Sequence, residues 1–271
     1  MVRARLYSIL RLVPAAALTW LAACSNGSGG AGSLSLSLSA RSAPVASVAS
    51  TGSGPAPAVV AAGDSTVIAL GNDTLILRSV AAVLEQVELK RLESASCDSI
   101  PTNGDCEEFE SGPVLATFPL GSTNSVAAVT VNAPAGQYDK LEFQIHKTDS
   151  TSSKDAAFIA ANPDFKDISI RVTGTFSHAG SRSDFVFTSG LDASEELGFN
   201  PPLTVVDGTP ANLTIRLDVS TWFVNSGALI DPASANVGGP NEGIVQNNIK
   251  NSVDAFEDDN RDGRDDQHEG S

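Results

Sequence analysis

The chain has 271 residues, 32 of them Asp or Glu against 17 Lys or Arg, for a formal charge of −15. So acidic a surface repels phosphate backbones and anionic lipid head groups, which excludes nucleic acid as a partner and a basic patch as the means of reaching a membrane. Divalent cations and neutral partners such as sugars remain compatible, and about two hundred residues beyond the start of the chain are enough for one sizeable core or two small ones.

Arg3, Arg5 and Arg11 stand at or before an apolar run over residues 12–23, and the run ends in Leu21-Ala22-Ala23 followed by Cys24. A basic start, a short apolar stretch and small residues make a secretory signal, too short and wrongly flanked for a spanning helix. The Leu-Ala-Ala-Cys spacing resembles the lipobox of bacterial lipoproteins. That resemblance implies cleavage before Cys24, a diacylglycerol on its sulfur, and a mature protein held to the bacterial cell envelope outside the cytoplasm. Ser25 in place of an aspartate leans toward an outer membrane, if the cell has two. An ordinary cleaved signal with a chance cysteine is the alternative, and the spacing favours the lipoprotein.

Residues 25–62 are Gly, Ser, Ala, Pro and Val with almost no charge. Ser33-Leu34-Ser35-Leu36-Ser37-Leu38-Ser39 alternates like a strand but is isolated in low-complexity sequence, and the stretch is expected to be a flexible tether. Of the three cysteines, Cys97 and Cys106 remain after Cys24 as an expected disulfide in an oxidising compartment. Closing so short and turn-rich a loop would contribute about 2–3 kcal/mol. A zinc site is the rival, with too few ligands to favour it.

From Ser65 short strand-like runs alternate with turn residues. Residues 65–70 and 74–77 flank Gly71-Asn72-Asp73, a hairpin signal. Residues 80–92 are ambiguous: Val83, Val87 and Leu89 fit a strand face, yet Leu84, Glu85, Gln86, Glu88, Lys90 and Arg91 are good helix formers. Its neighbours make strand the expectation. Further strands are predicted over 114–120, 125–131, 138–147, 168–176, 184–188, 203–206 and 212–223. Leu141, Phe143 and Ile145 alternate with Glu142, Gln144 and His146, the pattern of a half-buried antiparallel strand. Leu213, Ile215, Leu217 and Val219 are expected inward, with Thr214, Arg216 and Asp218 outward.

Residues 155–161 read as one or two helical turns, with Asp155 as cap and Asn162-Pro163 as stop. Ile244, Val245, Ile249, Val253 and Phe256 recur at helical spacing, predicting a helix over 244–256 capped by Asn241. Together these elements predict a mainly β chain: an antiparallel β-sandwich with one short helix inserted and a carboxy-terminal helix leading into an acidic loop. The expected divisions are a signal peptide over 1–23, a lipidated tether over 24–63, the sandwich over 64–240, and helix plus loop over 241–271.

That last loop carries the most specific motif after Cys24. Asp258, Asn260, Asp262, Gly263 and Glu269 satisfy D-x-N-x-D-G-x5-E. Calcium takes six to eight oxygen ligands, which explains alternating carboxylate and carboxamide groups, a glycine for the sharp turn and a glutamate able to bind through both oxygens. Arg264 would offer its backbone carbonyl and Asp266 a ligand or water-bridging group, so the expected metal set is Asp258, Asn260, Asp262, Arg264, Asp266 and Glu269. The stretch resembles EF-hand and dockerin-type calcium loops. Asp265 replaces the usual apolar residue and no exiting helix follows, which implies a weak structural site and not a switch. A solvated acidic terminus is the plainer alternative.

Catalytic patterns are sparse. No G-x-S-x-G turn, H-E-x-x-H pair or phosphate-cradling glycine loop occurs, and no catalytic residue is expected. Glu142 and His146 share one strand face, where contact with water accounts for them. Glu195-Glu196 would suit a glycosidase pair only within a cleft, and an exposed loop is the expectation. Trp222 and Phe223 are expected to plug the core, with a sugar-stacking platform as the alternative.

Val87-Glu88-Leu89, Pro113-Val114-Leu115, Ala133-Pro134-Ala135-Gly136-Gln137-Tyr138-Asp139, the strand through Leu141 and His146, and the segment through Asp218 and Phe223 resemble an uncharacterised bacterial lipoprotein family. The resemblance covers most of residues 65–270. It implies a transthyretin-like or carbohydrate-binding-like sandwich and transfers no catalytic residues. The expected function is therefore a non-enzymatic, lipid-anchored envelope protein with a calcium-stabilised terminus and a glycan or envelope-protein partner. A calcium-dependent carbohydrate-binding or adhesion module is the alternative.

Overall fold

One 19-residue strand, β4 (Asp73–Arg91), organises the larger of two facing sheets. The structure is a computed structural model and describes residues 31–40, 57–92, 106–110, 112–121 and 124–266. β4 is preceded by β2 (Ala58–Ala62) and β3 (Ser65–Leu70), and the expected hairpin joins β3 to β4, with Leu70 opposite Asp73. Val80 of β4 pairs with Phe118 of β6 (Val114–Phe118) and with Val172 of β9 (Ile170–His178). Leu84 pairs with Val114 and with Ile145 of β8 (Gly136–Ile145), while Val87 faces β5 (Cys106–Glu110). A segment with neighbours on both edges satisfies its backbone groups through the ladder, and that outweighs the helix propensity of its Leu, Glu and Lys residues. The sheet continues through β10 (Ser181–Ser189), which pairs β9, and β11 (Ala193–Val205), which pairs β8. The chain is mainly β, as expected.

The smaller sheet has the order β15 (Val253–Glu257), β12 (Pro210–Leu217), β1 (Ala31–Ala40), β7 (Val126–Pro134), and β13 (Val224–Asn225) and β14 (Ala228–Leu229) form a separate two-stranded ribbon. Its composition corrects the sequence reading in two places. Residues 31–40, assigned to a tether, form an interior strand, parallel to β12 and antiparallel to β7. Leu34, Leu36 and Leu38 point into the core, each at most 3 % exposed. Each such side chain contributes about 1.5–3 kcal/mol on burial, a gain that low complexity in the flanking sequence does nothing to diminish. Residues 58–62, also within the expected tether, are β2.

The helix expected over 244–256 is instead α2 (Glu242–Lys250) followed by β15. Val245 and Ile249 are buried on α2, but Val253-Asp254-Ala255-Phe256-Glu257 pairs in register with β12, Leu217 opposite Val253 and Leu213 opposite Glu257. Apolar spacing over 249, 253 and 256 fits either period, and the open edge of β12 decides it. Asn241 makes no side-chain cap; its amide donates to Ser234 Oγ at 2.9 Å. Because β1 and β15 share one sheet with β12, the divisions at 63 and 240 do not separate structural units.

The core between the sheets joins Leu36, Leu213 and Ile215 to Leu77, Leu141 and Phe143. Phe223 meets Phe187 edge-on at 5.1 Å. β12 stops at Leu217, short of the expected 223, where Asp218 Oδ1 accepts from the Ser220 N–H at 3.1 Å and turns the chain. A second cluster sits on the outer face of β4, where Phe158 of α1 (Ala156–Ala161) and Phe165 pack on Ala81 and Val83. Asp155 does not cap α1 with its side chain. Cys24 and Cys97 lie outside the described residues, so the expected lipidation and the Cys97–Cys106 bridge do too.

Candidate metal centre

The serines of β1 explain what the terminal loop does. With the leucines turned inward, Ser35, Ser37 and Ser39 face the other side of the small sheet, and all three are buried. Thr214 and Asn212 of β12 lie beside them, also buried, which corrects the expectation that Thr214 points to solvent. Ser37 Oγ donates to Asn212 Oδ1 at 2.6 Å. A face of hydroxyls and amides needs hydrogen-bonding cover, and the segment after β15 folds back over it.

Asp258 is the centre of that cover and is wholly excluded from solvent. Its backbone is tied to β12 both ways, the Asp258 N–H donating to Asn212 O at 2.9 Å and Asn212 Nδ2 donating to Asp258 O at 2.8 Å. Its Oδ2 accepts from Thr214 Oγ1 at 2.8 Å, Ser125 Oγ at 2.9 Å and the Gly263 N–H at 3.2 Å. The last bond turns the carboxylate into the loop. Gly263 has φ 78°, a left-handed value that glycine adopts without strain. Among the described residues Asp258 Oδ1 has no hydrogen-bond partner. An unpaired oxygen on a buried carboxylate is costly unless a cation or water meets it.

The remaining motif residues shape the turn. Asn260 Oδ1 accepts from the Asp262 N–H at 2.8 Å, and Asp262 Oδ1 from the Arg264 N–H at 2.9 Å. Asp266 Oδ2 accepts from the Asp259 N–H at 2.6 Å, and the Asp266 N–H donates to Glu257 O at 3.0 Å, closing the loop on itself. Burial raises the pKa of Asp266 above the usual carboxylate value, and the charges of Asp258, Asp259 and Asp262 push the same way, against the lowering effect of the Asp259 N–H. Among the described residues no three His, Cys, Asp or Glu groups converge closely enough to hold a metal. Glu269, the expected bidentate ligand, lies outside the described residues. The carboxylate and carboxamide oxygens of this loop are of the kind that a hard cation takes, and Asp258 Oδ1 is the buried one left without a hydrogen bond among the described residues.

The other sequence-derived candidates are placed differently. His146 does not meet Glu142. Its Nδ1 lies 3.0 Å from Glu85 Oε2 and its Nε2 lies 3.1 Å from Asp155 Oδ2. Asp155, expected as a helix cap, instead clamps the imidazole and accepts the Asp149 N–H at 2.6 Å. Each ring nitrogen thus has a carboxyl oxygen against it, and neither faces an open site. Sequence reading missed this trio because Glu85 and Asp155 are 70 positions apart.

Glu195 and Glu196 lie on β11 and not in an exposed loop. Glu196 stands opposite Glu142 on β8, and Glu142 opposite Glu88 on β4. A groove of about 350 Å³ runs along this row. Lys90 pairs with Glu142, and Lys140 with Glu196 at 2.7 Å, so interleaved cations offset the cross-strand repulsion. Trp222 and Phe223 have no exposed surface. Trp222 Nε1 donates to Ser252 Oγ at 2.7 Å, and neither ring can stack on a sugar. Comparison of the chain with protein-family models, with curated proteins and with solved structures gave no match in any of the three.

Proposed function

We propose that the chain is an exported, lipid-anchored envelope protein, a non-enzymatic acidic sandwich whose terminal loop binds calcium to fix its smaller sheet. The observation that carries the calcium reading is Asp258: a fully buried carboxylate, one oxygen held by Thr214, Ser125 and the Gly263 N–H, the other without a partner among the described residues. When bound, the ion would supply the charge that this oxygen lacks. Asn260, Asp262, Asp266 and Glu269, with the Arg264 carbonyl, would complete the ligand set.

The export reading rests on the basic start, the apolar run and Leu21-Ala22-Ala23-Cys24. Acyl chains on Cys24 would make the membrane contact that so acidic a chain cannot make through charge. Cys24 stands seven positions before Ala31, the first residue of β1. Such a stretch reaches at most about 25 Å, so the anchor holds the sandwich close to the bilayer. A glycan or another envelope protein is the partner class that fits this placement.

Calorimetric titration of the mature protein with calcium tests the central claim. Saturable binding with a dissociation constant of about 10⁻⁴–10⁻³ M, the range of extracellular modules, is expected, and its loss in Asp262→Ala places it in the loop. Absence of saturable heat into the millimolar range overturns the reading. Mass spectrometry of the protein from membranes, showing Cys24 as an acylated first residue, tests the anchor separately.

A further inference from the structure

We infer that cation binding at the terminal loop locks β1 into the small sheet, so that calcium controls the docking of the amino-terminal strand. This rests on the calcium reading above.

The loop is a strap across β1, fastened to the strands on either side of it. On one side Asp258 holds Thr214 and Asn212 of β12. On the other, Ser125, the residue before β7, donates its hydroxyl to Asp258 and its N–H to Arg261 O at 3.2 Å. Between them Arg261 reaches down to β1, its guanidinium donating to Ser35 Oγ at 3.2 Å. Ser35 Oγ in turn lies 3.3 Å from Thr130 Oγ1 of β7. The strap therefore adds Arg261 to the polar cover of the buried serine face of β1, which Thr130 of β7 and Asn212 of β12 supply from the sides. The strap as it stands leaves Asp258 Oδ1 without a hydrogen-bond partner among the described residues. A cation in the loop would meet that oxygen.

Ligand that binds only the closed strap stabilises everything ordered with it, and the coupling is reciprocal: a docked β1 raises the affinity for the ion. The consequence bears on the anchor. Docked, β1 begins seven positions from Cys24; with β1 released, the first strand is β2, whose first residue Ala58 is 34 positions from Cys24. Calcium would then set how closely the sandwich is held to the membrane.

Amide hydrogen exchange on the full mature chain, with calcium chloride and with a chelator, tests the inference. At calcium about 100 times its dissociation constant, exchange in residues 34–40 is expected to slow by up to about 100-fold, together with residues 258–263. Amides of β9, away from the strap, should change less. Arg261→Ala, which leaves the proposed ligands intact, should retain calcium protection at 258–263 and lose most of it at 34–40. Protection confined to 258–263 in the unaltered chain overturns the lock and leaves the calcium site standing. Equal protection of β9 and β1 also overturns it, since the effect would be global. No change anywhere overturns the site and the lock together.

Discussion

Thr214 and Asp258, 44 positions apart, meet at 2.8 Å in a part of the molecule from which solvent is excluded on both sides. The hydroxyl is one of three donors on a carboxylate oxygen that has no access to water. Thr214→Val keeps the shape of the strand residue and removes the donor. A hydrogen bond to a charged acceptor contributes about 1.5–3 kcal/mol, so the variant should lose that much stability. The urea midpoint should fall with an unchanged slope. A variant as stable as the parent would show that the Thr214 hydroxyl does not hold Asp258.

Leu36 decides whether residues 31–40 are structure or linker. Its side chain is 2 % exposed, at the centre of a strand with neighbours on both edges. Leu36→Ala should cost about 2–5 kcal/mol, the range for a buried leucine that leaves a cavity. The same change in a solvated tether would be silent. Thermal unfolding of the two proteins separates the cases.

His146 holds two buried carboxylates apart. Glu85 Oε2 and Asp155 Oδ2 approach opposite nitrogens of its ring, and Asp155 also orders the backbone at Asp149. Removing the imidazole leaves two buried carboxyl groups without the ring between them. His146→Ala should therefore cost about 1–3 kcal/mol, the range for a buried polar group left unsatisfied. The effect should spread to the patch of Phe158 and Phe165, which the same chain segment carries. His146→Ala combined with Glu85→Gln and Asp155→Asn should recover part of the loss. If the single variant unfolds at the parent's midpoint, the trio is not a clamp.

The sandwich was legible because most strands alternate with period two: Leu141, Phe143 and Ile145 are buried and their neighbours are not. The same alternation in Ser33 through Ser39 was discounted for its surroundings, although Leu34, Leu36 and Leu38 carried the signal plainly. Its meaning depends on Asp258 and Arg261, more than 200 positions later, and only the fold brings a serine face under an acidic loop. Val253 through Phe256 fits a helical and a strand period equally, and the register with Leu217 and Leu213 is tertiary information. The calcium motif was readable residue by residue. What it lacked was a reason for Asp258 to be buried, which Ser125, Thr214 and Asn212 supply.

Asp266 links the loop to pH. Burial, then the charges of Asp258, Asp259 and Asp262, raise its pKa above the ordinary value of 3.8. A carboxylic acid whose folded pKa is raised binds its proton more tightly in the folded loop than in the unfolded chain. Its contribution to loop stability is thus fully present below the unfolded value and is lost as pH rises through the raised folded value. At neutral pH the calcium-free loop works against its own charge, and the ion would replace the proton. The carboxyl carbon of Asp266, followed by NMR without calcium, should titrate above the exposed aspartates of the chain, and saturating calcium should move that midpoint down. Calcium affinity should fall as pH drops through the calcium-free midpoint, because proton and cation compete for one group. Asp266→Asn, whose amide oxygen can still accept the Asp259 N–H, should flatten this pH dependence and slow exchange in the calcium-free loop at neutral pH. A midpoint for Asp266 that calcium leaves unmoved would place the ion elsewhere, and with it the charge that the strap over β1 requires.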